Sequence, residues 1–275
     1  MIVLKSSGDH EWPWSAAANE MDAEGIFAKS YPSLYRHRKQ FEAFEDPDTG
    51  QLVGLRIRQD QGRFWWELRP CAYYNAFERP RLMYQAIQFY PRYSIVRSAC
   101  YGNNKTYALP TDDHWIAACL NSPAGWYFAW RHFLHMKDEA LSNDQVKINT
   151  FPIARPVDSS RRDCERIVER LLLAAADMQT RQKDVLDWLT HTRGVEQFNR
   201  KLSAPVELTM DEFIAEVIQA LPNKTTLTAA DLGDLKREYA VSIEPAKVLK
   251  AEIRRSEREL SDLVNAAYGL TEEDV

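Results

Sequence analysis

The chain has 275 residues, of which 45% are hydrophobic, and a formal net charge of −5. This length and composition allow a substantial core in one large or two ordinary domains, and we expect two. The acidic balance excludes a uniformly basic nucleic-acid-binding protein.

The first predicted elements are a short strand and a broken helix. Residues 1–4 are apolar enough for a strand, and a turn-rich loop follows. Residues 16–44 show helical spacing of apolar side chains, interrupted at Tyr31–Pro32 because proline cannot continue a helix. We therefore predict a strand at 1–4 and two helical pieces within 16–44.

A further strand is predicted after the turn at residues 45–51. The sequence LVGLRIRQDQG at 52–62 alternates apolar and basic side chains, which places Arg56 and Arg58 on one face. Such a face is either the solvated side of an edge strand or a DNA-facing surface, and the alternation does not decide between them.

The central stretch from Gly62 to Lys105 interleaves aromatic and basic residues. Planar rings stack on bases, and the forked guanidinium pairs with phosphates or guanine edges, so this composition indicates a nucleic-acid reader. The alternative is an ordinary α/β core capped by arginines. We expect Trp65 and Trp66 to be core residues rather than to stack on bases. Asn103 and Asn104 could pair with adenine, although such asparagines more often serve the turn itself.

Short elements are predicted within and after this stretch. They are a strand or helix start at 64–68, a helical turn at 73–77, and strands at 81–87, 93–98 and 106–109, with a loop at 101–105. Thr111 is the predicted N-cap of a core helix that carries Trp115. Residues 146–151 are predicted to form a last strand, and the two prolines of FPIARP at 151–156 close the first domain.

From Ser159 onward, prolines and aromatic residues thin out and helical periodicity takes over. Two series of residues alternate in steps of four and three, as in a heptad repeat. They are Cys164, Val168, Leu171, Ala175, Met178, Gln182, Val185 and Leu189, and then Leu249, Ile253, Ser256, Leu260, Leu263 and Ala267. Two such seams can form an antiparallel helix pair. Thr209 with Glu212 predicts a capping box, and Gly269 predicts a helix end.

The positive charge is local. Residues 29–105 contain 13 Lys and Arg against 7 Asp and Glu, whereas residues 156–275 contain 17 against 23. The basic region therefore coincides with the aromatic stretch. The acidic second half is better suited to contact protein than phosphate.

No catalytic motif is evident. A DNA methyltransferase needs a glycine-rich cofactor loop and an Asn/Asp-Pro-Pro-aromatic tetrapeptide, which NSPAG at 121–125 does not match. His132 and His135 lack a third metal ligand nearby, and Asp112 and Asp113 suit the first turn of a helix. We therefore expect no metal, no cofactor and no catalytic residue in this chain.

The cysteines and the hydropathy indicate a cytoplasmic setting. Cys71, Cys100, Cys119 and Cys164 form no CxxC pair, so neither a zinc site nor a disulfide framework is indicated. No segment approaches the roughly 18 apolar residues that span a bilayer, and the first residues lack a secretory signal. We expect no membrane partner.

An ordered series of motifs resembles a known family. The series is EWPWS, YPSLYRH, DQGRFWWELRPCAYYNAFERPRLMY, YGNN, a Thr-Asp-Asp helix followed by LNSP, FPIARP and LVNAAYGLTEEDV. In this order it resembles the TaqI-like C-terminal specificity (target-recognition) domain of type IIG restriction-modification enzymes and of related adenine-specific DNA methyltransferases. The resemblance covers nearly the whole chain.

The resemblance implies a target-recognition module whose methyltransferase domain, with its S-adenosylmethionine, lies in a missing domain or a partner subunit. It implies an α+β DNA-recognition domain at residues 1–157 and an all-α, coiled-coil-like helical spacer at 158–275. The positions that match the family motifs are Trp65, Trp66, Glu67, Leu68, Arg69, Tyr73, Tyr74, Tyr101, Gly102, Asn103 and Asn104.

We therefore expect the chain to bind double-stranded DNA, with basic side chains on phosphates and a few side chains on base edges. The predicted contact residues are Arg56, Arg58, Arg63, Arg69, Arg92, Arg97, Asn103, Asn104 and Lys105. A second hypothesis is a protein-interaction module whose helical half docks to a methyltransferase or forms a homodimer. An enzyme with an unrecognised active site is a third.

Overall fold

The computed structural model describes residues 3–222, 227–271 and 273–274. The chain forms two units: Met1–Pro80 with Arg97–Tyr101, called the first unit, and Arg81–Val96 with Gly102–Val275, called the second unit. Small antiparallel sheets and short helices make up the N-terminal region, and long helices make up the C-terminal half. This architecture confirms the predicted fold class of an α+β region followed by an all-α region. The division into domains at residue 157 stays a prediction.

The first unit contains two helices and a two-stranded antiparallel sheet. The elements are α1 (Glu20–Ser30), α2 (Pro32–Lys39), β1 (Phe44–Glu45) and β2 (Leu52–Val53). The helix break predicted at Tyr31–Pro32 is confirmed, because α2 begins at the proline, whose missing N–H is no loss in a first helical turn. The helices cover less than residues 16–44, since Asn19 caps α1 through the backbone N–H of Asp22.

The strand predicted over residues 52–62 is confirmed only at Leu52–Val53, and the rest of the prediction is wrong. β2 ends at Val53, and turns follow. Gly54 adopts a φ of +137°, and a Cβ there would lie 2.6 Å from the carbonyl oxygen of Glu42, so the chain bends at a position that only glycine tolerates. Arg56 and Arg58 therefore do not share a strand face.

Two other predictions for the first unit need correction. Val3 and Leu4 are not in a strand, although the Leu4 carbonyl accepts a hydrogen bond from Leu68; residues 1–2 of that prediction lie outside the described residues. Residues 64–68 form turns, closed only by an isolated bridge between Gln61 and Leu68, rather than a strand or helix start. The helical turn predicted at 73–77 is confirmed as a 3-10 turn, Tyr74–Phe77.

Aromatic side chains fill the core of the first unit. Trp14, Phe27, Trp65 and Trp66 are at most 1% exposed. Trp66 stacks on Phe27 with 5.2 Å between ring centroids, and Trp14 meets Trp66 edge to face at 6.0 Å. The expectation that Trp65 and Trp66 are core residues is confirmed.

Two three-stranded antiparallel sheets lie in the second unit. The first has the order β5 (Tyr93–Val96), β3 (Arg81–Gln85), β6 (Thr106–Leu109), and the second has the order β4 (Ile87–Gln88), β8 (Leu141–Ser142), β7 (Leu134–His135). The strand predicted over 81–87 divides at Ala86, whose carbonyl accepts from Asn143. The predicted loop at 101–105 does lie between two strands, but each of these strands pairs with β3 rather than with the other.

Short α-helices lie among the later strands of this unit, two before β7 and one after β8. They are α3 (His114–Asn121), α4 (Pro123–His132) and α5 (Gln145–Ile148). The N-cap of α3 is Asp113 rather than Thr111, because the Asp113 carboxylate accepts from the backbone N–H groups of Trp115 and Ile116. The strand predicted at 146–151 is wrong, since the Asp144 side chain caps the short helix α5 there.

Long and medium-length α-helices make up most of the C-terminal half that the structure describes. They are α6 (Asp158–Arg193), α7 (Met210–Ala220), α8 (Ala229–Glu238) and α9 (Glu244–Tyr268), with a π-helical turn at Tyr239–Ile243. The predicted capping box of Thr209 and Glu212 and the predicted helix end at Gly269, with φ +71°, are confirmed. No helix among residues 3–222 and 227–271 is long and apolar enough to cross a membrane.

The helices α6 and α9 pack against each other in antiparallel orientation, as the two heptad seams predicted. Near the start of α6, Val168 shares a core with Val264 of late α9, and near its end Val185 shares a core with Ile243, which precedes α9. Between these ends, Arg170 donates to Glu259 at 2.6 Å and to the buried hydroxyl of Ser256 at 3.2 Å. Strands β3 and β5 and helix α3 contribute to the same core as the start of α6.

Candidate nucleic-acid interface

Three of the predicted DNA contacts in the first unit are Arg56, Arg58 and Arg63, and the guanidinium group of each one binds other residues of the protein. Arg56 pairs with Glu20 and with Glu42, the latter at 2.7 Å, and lies 5.7 Å over the ring of Trp65. Partial desolvation lowers the pKa of Arg56, but the hydrogen bonds to Glu20 and Glu42 outweigh this and raise it above its usual value. The position of Arg56 is therefore fixed by acidic partners.

The guanidinium groups of Arg58 and Arg63 are also engaged by neighbouring parts of the chain. Arg58 donates to the backbone carbonyl of Glu67. Arg63 donates to the carbonyls of Ser15 and Ala17 at 2.8 and 3.1 Å. These two side chains connect loops that contain no regular secondary structure. They supply hydrogen-bond donors to backbone carbonyls that have no partner in a helix or sheet.

Arg69 and Arg97 complete the predicted contacts in the first unit, and both are exposed. Among the described residues, the Arg69 guanidinium has neither a hydrogen-bond partner nor an ion pair, although its carbonyl accepts from the Tyr74 hydroxyl at 3.3 Å. Arg69 is thus available to a ligand in a way that Arg56 is not.

The remaining predicted contacts, Arg92, Asn103, Asn104 and Lys105, lie in the second unit. The Asn103 side-chain oxygen accepts from the backbone N–H of Lys105 at 2.9 Å and from the Thr106 hydroxyl at 3.2 Å, so it forms the turn itself. Asn104 and Lys105 are exposed. No described residue binds the ammonium group of Lys105.

A backbone hydrogen bond brings this turn to the β3–β4 junction. The Lys105 carbonyl accepts from the N–H of Ala86 at 2.8 Å. A small cavity of about 240 Å³ lies beside it, lined in part by Ile87, Asn103 and Lys105. The turn residues and the start of β4 therefore share one surface.

The segment that follows β4 exposes aromatic rings beside Arg92. Phe89 is 61% exposed and Tyr90 is 51% exposed. The Arg92 guanidinium lies 4.2 Å from the centroid of the Tyr90 ring and donates to the Tyr90 hydroxyl. The Gln88 side chain accepts from the Arg92 backbone N–H at 3.1 Å, which fixes the turn that presents this pair. We call the exposed side chains Ile87, Phe89, Tyr90, Arg92, Asn104 and Lys105 the Arg92 surface.

The surrounding segment has no negative side chain. From Arg79 to Thr111 the sequence contains five Lys and Arg and no Asp or Glu. The segment itself therefore supplies no carboxylate that would neutralise its cations, whereas acidic side chains pair with Arg56. The absence of Asp and Glu can be seen in the sequence. It distinguishes Arg92 and Lys105 from the arginines at 56–63, a distinction that the family motifs did not make.

Residues 157–264 match a family model described as Domain of unknown function (DUF8810). The match covers the helical half and ends within α9. No curated protein matches the chain significantly. Among the described residues there is also no cluster of three or more His, Cys, Asp and Glu that could hold a metal ion.

Proposed function

We propose that the chain is a target-recognition module that binds double-stranded DNA in a restriction-modification system. The observation that carries this proposal is the Arg92 surface: an arginine stacked on an exposed tyrosine, in the same carboxylate-free segment of the chain as an unpaired lysine. Its composition suits phosphate and base contacts together. The ordered series of motifs that resembles type IIG specificity domains supports the same function.

The contacts within the protein suggest a division of labour among the predicted residues. Arg56, Arg58 and Arg63 stabilise the first unit and contribute little to DNA binding. The proposed contacts to DNA are Arg69 in the first unit and Arg92, Asn104 and Lys105 in the second unit. Lysine neutralises phosphate as a point charge, whereas the fork of Arg92 matches the O6 and N7 atoms of guanine, and Asn104 matches adenine.

In this proposal, a partner methyltransferase domain or subunit supplies the chemistry. That partner binds S-adenosylmethionine and extracts the target adenine from the duplex, while this chain holds the DNA in register. The chain alone therefore binds a site without modifying it.

Selection from a pool of random duplexes at two salt concentrations tests the proposal. We expect the purified chain to enrich one short motif at the higher salt, because base contacts persist when phosphate contacts are screened. Retention that shows no motif and disappears at the higher salt would refute sequence recognition by this chain. The variant Arg92→Lys keeps the charge but removes the fork, so it should retain affinity for random DNA while losing discrimination at one base pair.

A second function, protein docking through the helical half, is favoured by a separate observation. The helices α6 and α9 of the acidic half, together with α3 and β5, line a groove with an apolar floor and arginines at its rim. Its geometry does not depend on DNA binding.

A further inference from the structure

A groove of about 960 Å³ runs along α6 in the second unit. One stripe of α6 forms its floor, with side chains at spacings of three and four residues: Val168, Leu171, Leu172, Ala175, Ala176 and Gln179. One wall is formed by α3 and β5, through Ala117, Ala118 and Ile95, and the other wall is formed by α9. The floor covers 11 residue steps of α6, which is about 16 Å at the usual helical rise.

The groove lies where the heptad seam of α6 loses its packing partner. Val168 is 6% exposed and Val185 is fully buried, and both lie in cores. Leu171 and Ala175, between them on the same seam, are only half-buried and line the groove. The sequence thus provides a seam that is apolar except at Gln182, and the fold leaves part of it uncovered at Leu171 and Ala175.

Small side chains on both sides suit this groove to a helix. The lining residues Ala175 and Ala176 on the floor and Ala117 and Ala118 on the wall have the small side chains that let a third helix come close. Packed helices approach to 8–10 Å only when the side chains at the contact are of modest size. A third helix laid along α6 would cover Leu171 and Leu172 and complete the interrupted seam.

The rim of the groove is positively charged. Arg254 and Arg258, one turn apart on α9, lie on one side, and Arg92 lies on the other, whereas Glu257 is the one carboxylate among the described lining residues. Arg258 donates only to the backbone carbonyl of Arg254, and no described carboxylate pairs with either guanidinium. By contrast, Arg255, on a neighbouring face of α9, pairs with Glu259 at 3.1 Å.

We propose that this groove is the docking site for an acidic amphipathic helix of a partner protein. The apolar face of such a helix would pack on Leu171, Leu172 and Ala175, and its flanking carboxylates would pair with Arg254 and Arg258. Phosphates would meet the arginines but leave the apolar floor uncovered. A basic helix would be repelled by the rim, so charge complementarity selects the acidic helix.

A designed peptide probes the groove directly. The probe is a fluorescein-labelled helix of 18 residues with leucines at i, i+3, i+4 and i+7 and glutamates beside them, titrated with the full chain by fluorescence anisotropy. One control peptide carries lysine in place of each glutamate, and another has the acidic composition scrambled so that no apolar face forms. We expect the acidic amphipathic peptide to bind at least about tenfold more tightly than either control.

Variants of the chain assign the binding to the groove. Arg254→Glu/Arg258→Glu should weaken the acidic peptide by more than about tenfold and should now favour the lysine peptide. Ala175→Trp fills the floor without a charge change and should weaken both peptides. Arg255→Glu is the control on the same helix outside the groove: it reverses one charge where the double variant reverses two, and it should leave binding unchanged. Circular dichroism confirms that each variant is folded.

Three outcomes would overturn the proposal. The first is equal binding of the acidic and scrambled peptides. The second is equal loss in Arg255→Glu and in the double variant. The third is concentration-dependent dimerisation, seen by light scattering, that the double variant abolishes while no peptide binds, since this would assign the groove to a second copy. DNA binding by the double variant is measured in parallel. This result tests the DNA-binding proposal only and does not decide whether the groove binds a helix.

Discussion

Trp14 donates its indole N–H to a carboxylate oxygen of Glu67 at 2.8 Å, and both side chains are fully buried. The second oxygen of Glu67 accepts from the N–H groups of Ser7 and Arg63, each at 3.0 Å, and from the Ser7 hydroxyl at 3.2 Å. A buried carboxylate is tolerated because these donors replace water. Glu67 thus joins the N-terminal loop to the tryptophan cluster.

Replacement of Glu67 by Gln should destabilise the first unit. Glutamine has the same shape as glutamate. However, its N–H₂ group replaces one carboxylate oxygen, which accepts hydrogen bonds, by a donor that faces the N–H and O–H donors around Glu67. Loss of hydrogen bonds to a buried charge costs about 2–3 kcal/mol, so we expect a fall of that size in the free energy of unfolding. Urea denaturation followed by tryptophan fluorescence measures it. Glu78→Gln, at an exposed carboxylate 3.4 Å from Lys5, is the control and should change stability little.

Arg56→Ala should leave DNA affinity unchanged. Its guanidinium pairs with Glu20 and Glu42, and the Arg56 side chain is 39% exposed, so its loss should lower stability by no more than about 1 kcal/mol. Anisotropy with labelled duplex gives the affinity, and thermal melting gives the stability. A tenfold loss of DNA binding in a fully folded Arg56→Ala protein would show that the internal ion pairs open to receive DNA, contrary to our proposal.

Lys105→Ala should weaken binding to all duplexes alike. Removal of one phosphate contact reduces the slope of log K against log salt by about one, without a change in the preferred sequence. The matched control is Lys183→Ala, which removes an exposed lysine paired with Asp187 on α6 and should leave the slope intact. Equal slopes for wild type and Lys105→Ala would exclude Lys105 from the interface.

Stability of the helical half should fall in acid through Asp231. Hydrogen bonds from the side chain and backbone of Thr228, and then Arg193, lower the pKa of Asp231 from 3.8 to about 2. Because the folded pKa is the lower one, this stabilisation is present above about pH 4 and is lost as the pH falls through about 2. Urea unfolding between pH 5 and about 2 should therefore show a steeper decline for wild type than for Asp231→Asn. Parallel pH profiles would contradict the role of this carboxylate.

The four cysteines should differ in reactivity. Cys119 and Cys164 are fully buried, and desolvation raises their thiol pKa values to about 11 and about 12. Cys71 and Cys100 are half-buried. Since the thiolate is the reactive form, a maleimide should label Cys71 and Cys100 in the native protein, and the other two only after denaturation. Peptide mapping by mass spectrometry after timed labelling distinguishes the sites, and early labelling of Cys164 would contradict its burial.

Local signals in the sequence predicted several elements correctly. Pro32 marks the helix break, Thr209 with Glu212 caps α7, and Gly269 ends α9. The heptad series predicted both the long helices and their antiparallel pairing. Each of these signals depends on the backbone chemistry of a few neighbouring residues or on a period repeated over many turns, so one sequence is enough to read it.

The wrong secondary-structure predictions occurred where contacts between residues distant in sequence decide the local conformation. Alternation suggested a strand through Arg56, but Glu20 and Glu42 bind its guanidinium, and the bend at Gly54 removes the strand. Thr111 and Asp113 are both good caps, and the choice between them depends on where α3 packs. Residues 146–151 have strand propensity, yet Asp144 caps a helix there.

The sequence by itself therefore determined the α+β and all-α halves, the helix ends and the acid-free basic segment around Arg92. Only the tertiary structure decided which arginines are neutralised within the protein, that β3 lies between β5 and β6, and that the α6 seam is open along Leu171 and Ala175. The physical reason is that periodicity and capping are short-range properties of the chain. Burial and ion pairing depend on which residues, far apart in sequence, meet when the core forms.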